Sequence, residues 1–232
     1  EKSRVLILTT AYLPKVGGSE LAIKNITDRM PGIYFDLITS RLPKNLPEYE
    51  RIGAVNVYRV GNLLSLFSFL LPKNFLPLAV FLKARQLMRQ HGPYDLVHAY
   101  QASQAAGGGW LLKWRYPKIP FLVTVQEGKA LNRQPWLMRL FRYLVFKKAD
   151  AVTVISNYLA QYVRSQNSRV PISIIPNGVD VNKFQPDGSH SPETIITVSR
   201  LVEKNGVDDL IDAIALVKEK ITGIKLIIAG DG

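Results

Sequence analysis

The sequence predicts an α/β fold: a parallel sheet with helices on both faces, followed by the beginning of a second unit built the same way. Three observations lead there. Short, continuously apolar runs such as Arg4–Thr9 and Ala151–Ile155 have the length and composition of strands buried on both faces. Amphipathic stretches of helical length separate them, and that alternation implies right-handed crossovers. The rhythm breaks over Val179–Glu193, which holds Pro186, Gly188 and Pro192, and restarts at Thr194.

Taken in order, Arg4–Thr9 is the first strand, and Pro14-Lys-Val-Gly-Gly18 the loop after it. Ser19 is expected to cap a helix reaching about Met30, with Ala22, Ile23, Ile26 and Met30 turned inward. Tyr34–Thr39 and Ala54–Val60 are strands, and a helix runs from about Phe75 to His91. Asp95–His98 is the fourth strand, Ser103–Trp114 a helix, and Phe121–Val125 the fifth strand. Pro135 opens a helix to about Lys148, whose basic end suits the helix dipole. Ala151–Ile155, a helix capped by Ser156 and running to about Arg164, and the strand Ile172–Ile175 complete a unit over residues 1–178, closed by the turn Pro176-Asn-Gly178. Residues 179–193 read as a linker, and 194–232 as a second, incomplete unit: strand Thr194–Ser199, loop Arg200–Asn205, helix Val207–Lys220 and strand Lys225–Ala229. Two strands and one helix bury little core, so the natural protein is expected to continue past Gly232.

Charge is unevenly distributed. Residues 1–150 hold 22 Lys/Arg against 9 Asp/Glu, and residues 151–232 hold 8 against 9. The densest stretch, Lys113 to Lys148, sets nine basic residues against one acid, Glu127. Such a surface attracts anions: nucleic acid, acidic lipid headgroups or a phosphorylated substrate. The absence of cysteine excludes disulfide and thiolate chemistry, and three scattered histidines argue against an imidazole zinc site. No signal peptide is recognised, and the apolar stretch Leu63–Leu82 is broken by Pro72, Lys73, Asn74 and Pro77. It reads as a core segment or as a lip dipping into a membrane surface, not as a spanning helix.

Ligands of such sheets bind beyond the carboxyl ends of the strands, so the loops at Tyr12–Ser19, His98–Ser103 and Gln126–Ala130 and the Ser156 helix start are the places to look. Gly17-Gly18 allows close backbone approach beside a helix N-terminus, or forms a simple turn. The loop has neither the dinucleotide glycine spacing nor a Walker lysine. His98 can donate to a sugar hydroxyl, act as a base, or bond within its own loop. Gln126 and Glu127 directly follow a strand, where polar residues commonly serve ligands; Glu127 can equally pair with Lys129 or Arg133. Arg200 and Lys204, with the helix amides after Gly206, can cradle a diphosphate or form a solvated loop. No paired carboxylates of a hydrolase and no D-x-D metal motif occur.

The ordered set of pieces resembles the retaining glycosyltransferases of family 4, of the two-domain GT-B architecture with Rossmann-like halves. The pieces are Pro14-x-x-Gly17-Gly18-Ser19-Glu20, Asp95-Leu-Val-His98, Ala149-Asp-Ala-Val-Thr-Val-Ile-Ser156, Ile175-Pro-Asn-Gly-Val-Asp180 with Phe184, Val198-Ser-Arg-Leu-Val-Glu-Lys-Asn-Gly206 and Ala229-Gly-Asp-Gly232. The resemblance implies an acceptor-binding unit over 1–178, a donor-binding unit from 194, and transfer with retention of configuration. It implies a UDP- or GDP-sugar donor, no cofactor or metal, and a glycan or lipid-linked acceptor. Gly17 and Gly18 would then lie near the donor phosphates, and Arg200 would neutralise the departing diphosphate, with Lys204 beside it. Two departures stand out: Gln126 occupies a place where many members carry histidine, and Asn205 the place of a phosphate lysine. The family's paired-glutamate donor segment is not in this chain, so residues 1–232 alone are expected to be inactive. The basic face and Leu63–Leu82 suggest a cytoplasmic protein held peripherally on anionic membrane. A degenerate, non-catalytic glycan- or lipid-binding protein is the rival reading, motivated by Gln126 and Asn205. A nucleotide-sugar epimerase fits the ordered motifs less well. A nucleic-acid partner is not expected, since no recognition helix or stacking sheet motif accompanies the charge.

Overall fold

The computed structural model describes residues 2–43, 45–61, 76–126, 136–166, 169–186, 188 and 192–232. The chain divides into two compact units, Glu1–Gly178 and Val179–Gly232. Unit 1 contains strands β1 (Ser3–Leu8), β2 (Ile33–Ser40), β3 (Tyr49–Ile52), β4 (Val55–Val60), β5 (Leu96–Tyr100), β6 (Phe121–Val125), β7 (Ala151–Val154) and β8 (Ile172–Ile174). Its helices are α1 (Gly18–Asp28), α2 (Leu76–His91), α3 (Gln104–Arg115), α4 (Trp136–Lys148) and α5 (Asn157–Ser165). The strands form one sheet in the order β3-β4-β2-β1-β5-β6-β7-β8, parallel except where β3 returns antiparallel along β4. That edge strand is absent from the sequence reading: Tyr49–Ile52 is short and polar, and only the tight turn at Gly53-Ala54 marks the hairpin.

One face of the sheet, carrying Leu6, Leu8, Ala99, Val123 and Val152, is packed by α2, α3, α4 and α5. The opposite face, carrying Ile7, Leu37, Val57 and Tyr100, receives Ile23 of α1. The split follows from handedness, because the α1 crossover from β1 to β2 runs along the sheet in the direction opposite to the later helical crossovers, from β4 to β5 and on to β8. In α1 the buried stripe is Ser19, Glu20, Ile23 and Thr27, whereas Ile26 and Met30 are exposed. The expected phase was displaced because Thr27 is buried at no polar cost: its hydroxyl donates to the Ile23 carbonyl at 2.9 Å. Ser19 does not cap α1 either. The cap position is Gly17, and Ser19 lies inside the first turn.

Helix α3 approaches its neighbours through Gly107, Gly108 and Gly109, all buried. A Cβ at Gly107 would meet Phe141 and Pro77, at Gly108 Val80, and at Gly109 the Phe121 ring and Leu8. Three central glycines cost about 1 kcal/mol each in helix propensity, so close packing offsets an intrinsically poor helix. At the amino-terminal edge, buried Asp36 accepts hydrogen bonds from Tyr94 Oη at 2.6 Å and Asn56 Nδ2 at 3.1 Å, and pairs with Arg4 at 3.3 Å. His98 lies within β5, not at its end. Its Nε2 is 2.7 Å from Thr124 Oγ1, which is 2.6 Å from Thr153 Oγ1, so one polar chain crosses three strands. Burial pushes the imidazole down to a pKa of about 3.

Unit 2 has β9 (Thr194–Val198), a 3₁₀ turn at Glu203–Asn205, α6 (Val207–Lys218) and β10 (Lys225–Ala229), the two strands pairing in parallel. Its opening segment is a turn in which Asp180 Oδ1 accepts from the backbone of Asn182 at 3.1 Å and Lys183 at 3.3 Å. Val198 and Leu216 of this unit are 78% and 67% exposed. No helix among the described residues is long and apolar enough to cross a membrane. Phe75, Pro135 and the larger part of Leu63–Leu82 lie outside the described residues; of the remainder, Leu76, Ala79 and Val80 are core and Leu78 and Leu82 are exposed.

Two consequences can be measured. Gly109→Ala forces a methyl against the Phe121 ring and is expected to lower stability by about 1–3 kcal/mol in urea denaturation, despite its better helix propensity. His98 binds its proton more weakly folded than unfolded, where the ordinary value is 6.5. The unfolded chain therefore takes up the extra proton between those two values, and stability falls as pH drops from about 6.5 towards 3, by at most about 1.4 kcal/mol per pH unit. His98→Gln retains a polar partner for Thr124 and should flatten that part of the stability–pH curve; an unchanged slope would refute the assignment.

Candidate functional site

The chain leaves β1 for β2 on one side, while β5 pairs with β1 on the other. That divergence opens a crevice at the carboxyl ends of β1 and β5, where α/β sheets bind ligands. Two helices begin there. Thr10, just after β1, has its hydroxyl 2.7 Å from that of Ser103, the residue at the start of α3. Gln101, just after β5, donates from Nε2 to Ser19 Oγ in the first turn of α1 at 3.4 Å. The first turns of α1 and α3 are thus tied to the same two strand ends; the α1 cap, Gly17, has no side chain, and the Ser103 side chain does not bond its own helix amides. Helix N-terminal amides in this position favour anionic or electron-rich oxygens.

The loop from β1 to α1 is firmly held. Ser40 donates to the Thr10 carbonyl at 2.6 Å, and the buried Arg59 reaches from β4 to the Leu13 carbonyl at 2.7 Å and pairs with Glu50. Gly17 stands in extended backbone, and a Cβ there would meet the Glu20 carboxylate that accepts from Ser19 at 3.0 Å. Gly18 has open space where a side chain would be, so its value is access and not conformation. Gln101 is held at φ +69°, a strained geometry for a residue other than glycine, with its amide donating to the Thr124 carbonyl at 2.7 Å.

Gln126 follows β6 on the same edge. Its Nε2 donates to Asn177 Oδ1 at 3.0 Å, while its Oε1 is buried without a hydrogen-bond partner. A buried acceptor left unmatched is an invitation to a ligand hydroxyl or amide. His98 sits deeper, in the strand and bonded to Thr124, and its low pKa makes it a poor proton acceptor near neutrality. Glu127, Lys129 and Arg133 lie outside the described residues. Thr10, Arg59, Gln101 and Ser103 carry no motif that marks them; only their position at strand ends hints at their place.

In unit 2, Arg200 and Lys204 are both exposed on the loop between β9 and α6. Asn205 Nδ2 donates to the Arg200 carbonyl at 2.7 Å, so the residue replacing a lysine braces the loop from within. The loop is pinned from below as well. Ser199 and Leu201 donate to the Ala229 and Asp231 carbonyls at 3.1 and 2.8 Å, and side chains at Gly230 or Gly232 would collide with that backbone. The Ala229-Gly-Asp-Gly232 signature is therefore a packing requirement of the Arg200 loop. Among the described residues no group of three or more histidine or carboxylate side chains is placed to hold a metal.

Comparison with known proteins matches this architecture. A model described as Glycosyl transferases group 1 matches residues 179–232. A GDP-mannose-dependent alpha-(1-6)-phosphatidylinositol monomannoside mannosyltransferase of Mycobacterium tuberculosis is 23% identical over 99% of this chain, which spans 61% of that relative's length. A sucrose-phosphate synthase from Thermosynechococcus elongatus superimposes with a TM-score of 0.71 at 18% identity, covering 98% of this chain and 62% of that one. The catalytic domain of starch synthase IV from Arabidopsis thaliana gives 0.66 at 13% identity, over 98% and 68% respectively. These structural likenesses fix a GT-B fold. The model for Glycosyltransferase Family 4 matches residues 16–183, well over half of the sequence, and the chain belongs to that family.

Proposed function

We propose that the protein transfers a glycosyl group from a nucleoside-diphosphate sugar to an acceptor, with retention of configuration. Residues 1–178 take the acceptor, 179–193 link, and 194–232 begin the donor-binding part. The observation that carries this reading is the pairing of two helix starts, α1 and α3, on the crevice between β1 and β5. Membership of the family, matched over residues 16–183, points the same way.

In this reading the Gly17-Gly18 loop offers backbone amides to phosphate and sugar oxygens, and the unmatched Gln126 Oε1 accepts from a sugar hydroxyl. Arg200, assisted by Lys204, neutralises charge growing on the departing diphosphate, which favours the transition state over the ground state. His98, neutral and bonded to Thr124, supports the sheet floor and exchanges no proton. The donor is a UDP- or GDP-sugar. The acceptor is glycan or lipid-linked, the second in keeping with a relative named for a phosphatidylinositol monomannoside. A cytoplasmic protein lying peripherally on the inner membrane face would meet such an acceptor.

The test is to incubate the full-length protein with a panel of UDP- and GDP-sugars and candidate acceptors, follow nucleoside diphosphate release, and assign the product's anomeric linkage by NMR. Arg200→Ala is expected to lower kcat/KM by about a hundredfold, and Lys204→Ala by less. Donor binding without turnover would favour the non-catalytic alternative, and an inverted linkage would exclude the retaining mechanism.

A further inference from the structure

Among the described residues Gln101 is the one non-glycine residue with positive φ, at +69°. A side chain in that region costs stability, and such residues persist where the surroundings hold them and function uses them. Gln101 is held from two sides. Its amide donates to the Thr124 carbonyl at 2.7 Å, and its Nε2 reaches Ser19 Oγ at 3.4 Å, near the outer limit of a hydrogen bond. A glycine would make the first bond without strain, and the second is too long to offset much of it. The fold alone therefore does not explain a glutamine here.

The chemistry at Ser19 fixes which way the Gln101 amide faces. Ser19 Oγ gives its proton to the Glu20 carboxylate at 3.0 Å, and a carboxylate can only accept. Ser19 has lone pairs but no proton left for Gln101, so Nε2 turns towards it and Oε1 turns away. That oxygen accepts from no described residue, and it is not among the polar atoms sealed from solvent.

Gln126 repeats the pattern on the adjacent strand end. Its Nε2 is taken by Asn177 at 3.0 Å, and its Oε1 is buried without a partner. β5 and β6 pair directly, with Tyr100 opposite Thr124, so the two glutamines follow neighbouring strands. Thr10 and Ser103 add the opposite character, because a hydroxyl pair at 2.7 Å spends one proton and leaves the other to donate. The rim of the crevice thus offers two amide oxygens and one hydroxyl proton, all on uncharged groups.

We propose that Gln101 is a specificity-determining residue of the crevice: its Oε1 accepts a hydrogen bond from a hydroxyl of an uncharged sugar or polyol, and the strained backbone aims that oxygen. An ionised carboxylate or phosphate has no proton to give either glutamine, whereas the hydroxyls of a polyol can give two and take one. Any phosphate or lipid that the bound molecule carries then lies away from Gln101. The inference rests on the transfer reading only for calling that polyol the acceptor.

The test is titration of the full-length protein with methyl α-D-glucopyranoside, methyl α-D-mannopyranoside and myo-inositol by saturation-transfer NMR, with inorganic phosphate as the charged probe, alongside urea unfolding. The wild type is expected to bind at least one of the polyols. Gln101→Met keeps length and strain but removes the acceptor atom, and Gln101→Gly removes both strain and acceptor. Each should weaken polyol binding about three- to tenfold, the worth of one neutral hydrogen bond. Gln101→Gly should nevertheless unfold at about 0.3–0.5 M more urea than Gln101→Met. A residue that merely held the fold would lose binding together with stability, and here the two part company. Weakened polyol binding in both variants, from a wild type that releases no nucleoside diphosphate with any donor, would support this inference and count against transfer. Absence of polyol binding by the wild type, unchanged binding by Gln101→Met, a glycine variant no more stable than the methionine one, or phosphate binding that depends on Gln101 would each overturn it.

Discussion

The close seat of α3 between α2 and α4 is the constraint on which the rest of unit 1 depends. Gly107, Gly108 and Gly109 bring its backbone against Phe141, Val80 and Phe121, where any side chain would collide. Helix propensity argues against three glycines in a row, so their presence is explained by packing density and not by local preference. With α3 lodged there, Ser103 at its cap position meets Thr10 at the crevice, and Phe141 of α4 rests against Gly107. One steric device therefore sets both the start of α3 at the candidate ligand edge and the seat of α4 beside it.

The two ends of the sheet are built from different chemistry. At the amino-terminal edge, Asp36 gathers Arg4, Asn56 and Tyr94 into a buried network in which every named partner is used. Burial and the hydrogen bond to Asp36 push the Tyr94 phenol far above its usual range, so Tyr94 keeps its proton and donates it to the Asp36 side chain. At the carboxyl edge the bonds instead fix loops: Ser40 to Thr10, Arg59 to Leu13, Gln101 to Ser19. Polar atoms without partners, such as Gln126 Oε1 and Tyr12 Oη, occur here too. A rigid frame with unmatched acceptors at one rim is what a preorganised ligand site requires.

Unit 2 shows the same economy in small. Its Arg200 loop is shaped by backbone contacts to the segment after β10, by Asn205 from inside, and by the absence of side chains at Gly230 and Gly232. Asn205 therefore has a structural explanation that is independent of whether a lysine would have served a phosphate better. Charge divides along the same boundary, with 24 of the 30 Lys/Arg residues in unit 1, which supports separate duties for the two units.

The sequence by itself determined the strand–helix alternation, the break near residue 179 and the family, because buried parallel strands are written as continuous apolar runs and the loop motifs are local. It also marked Gly17, Gly18, Gln126 and Arg200 as strand-end residues, which needs only strand boundaries. Only the tertiary structure decided what turns on side chains distant in sequence. The phase of α1 depended on Thr27 satisfying its hydroxyl within the helix, and His98 was drawn into the sheet by Thr124. Arg59 and Gln101 acquired their places through bonds to residues 46 and 82 positions away. Periodicity records which residues are apolar. It does not record which polar ones find partners, and that is settled only when the strands are side by side.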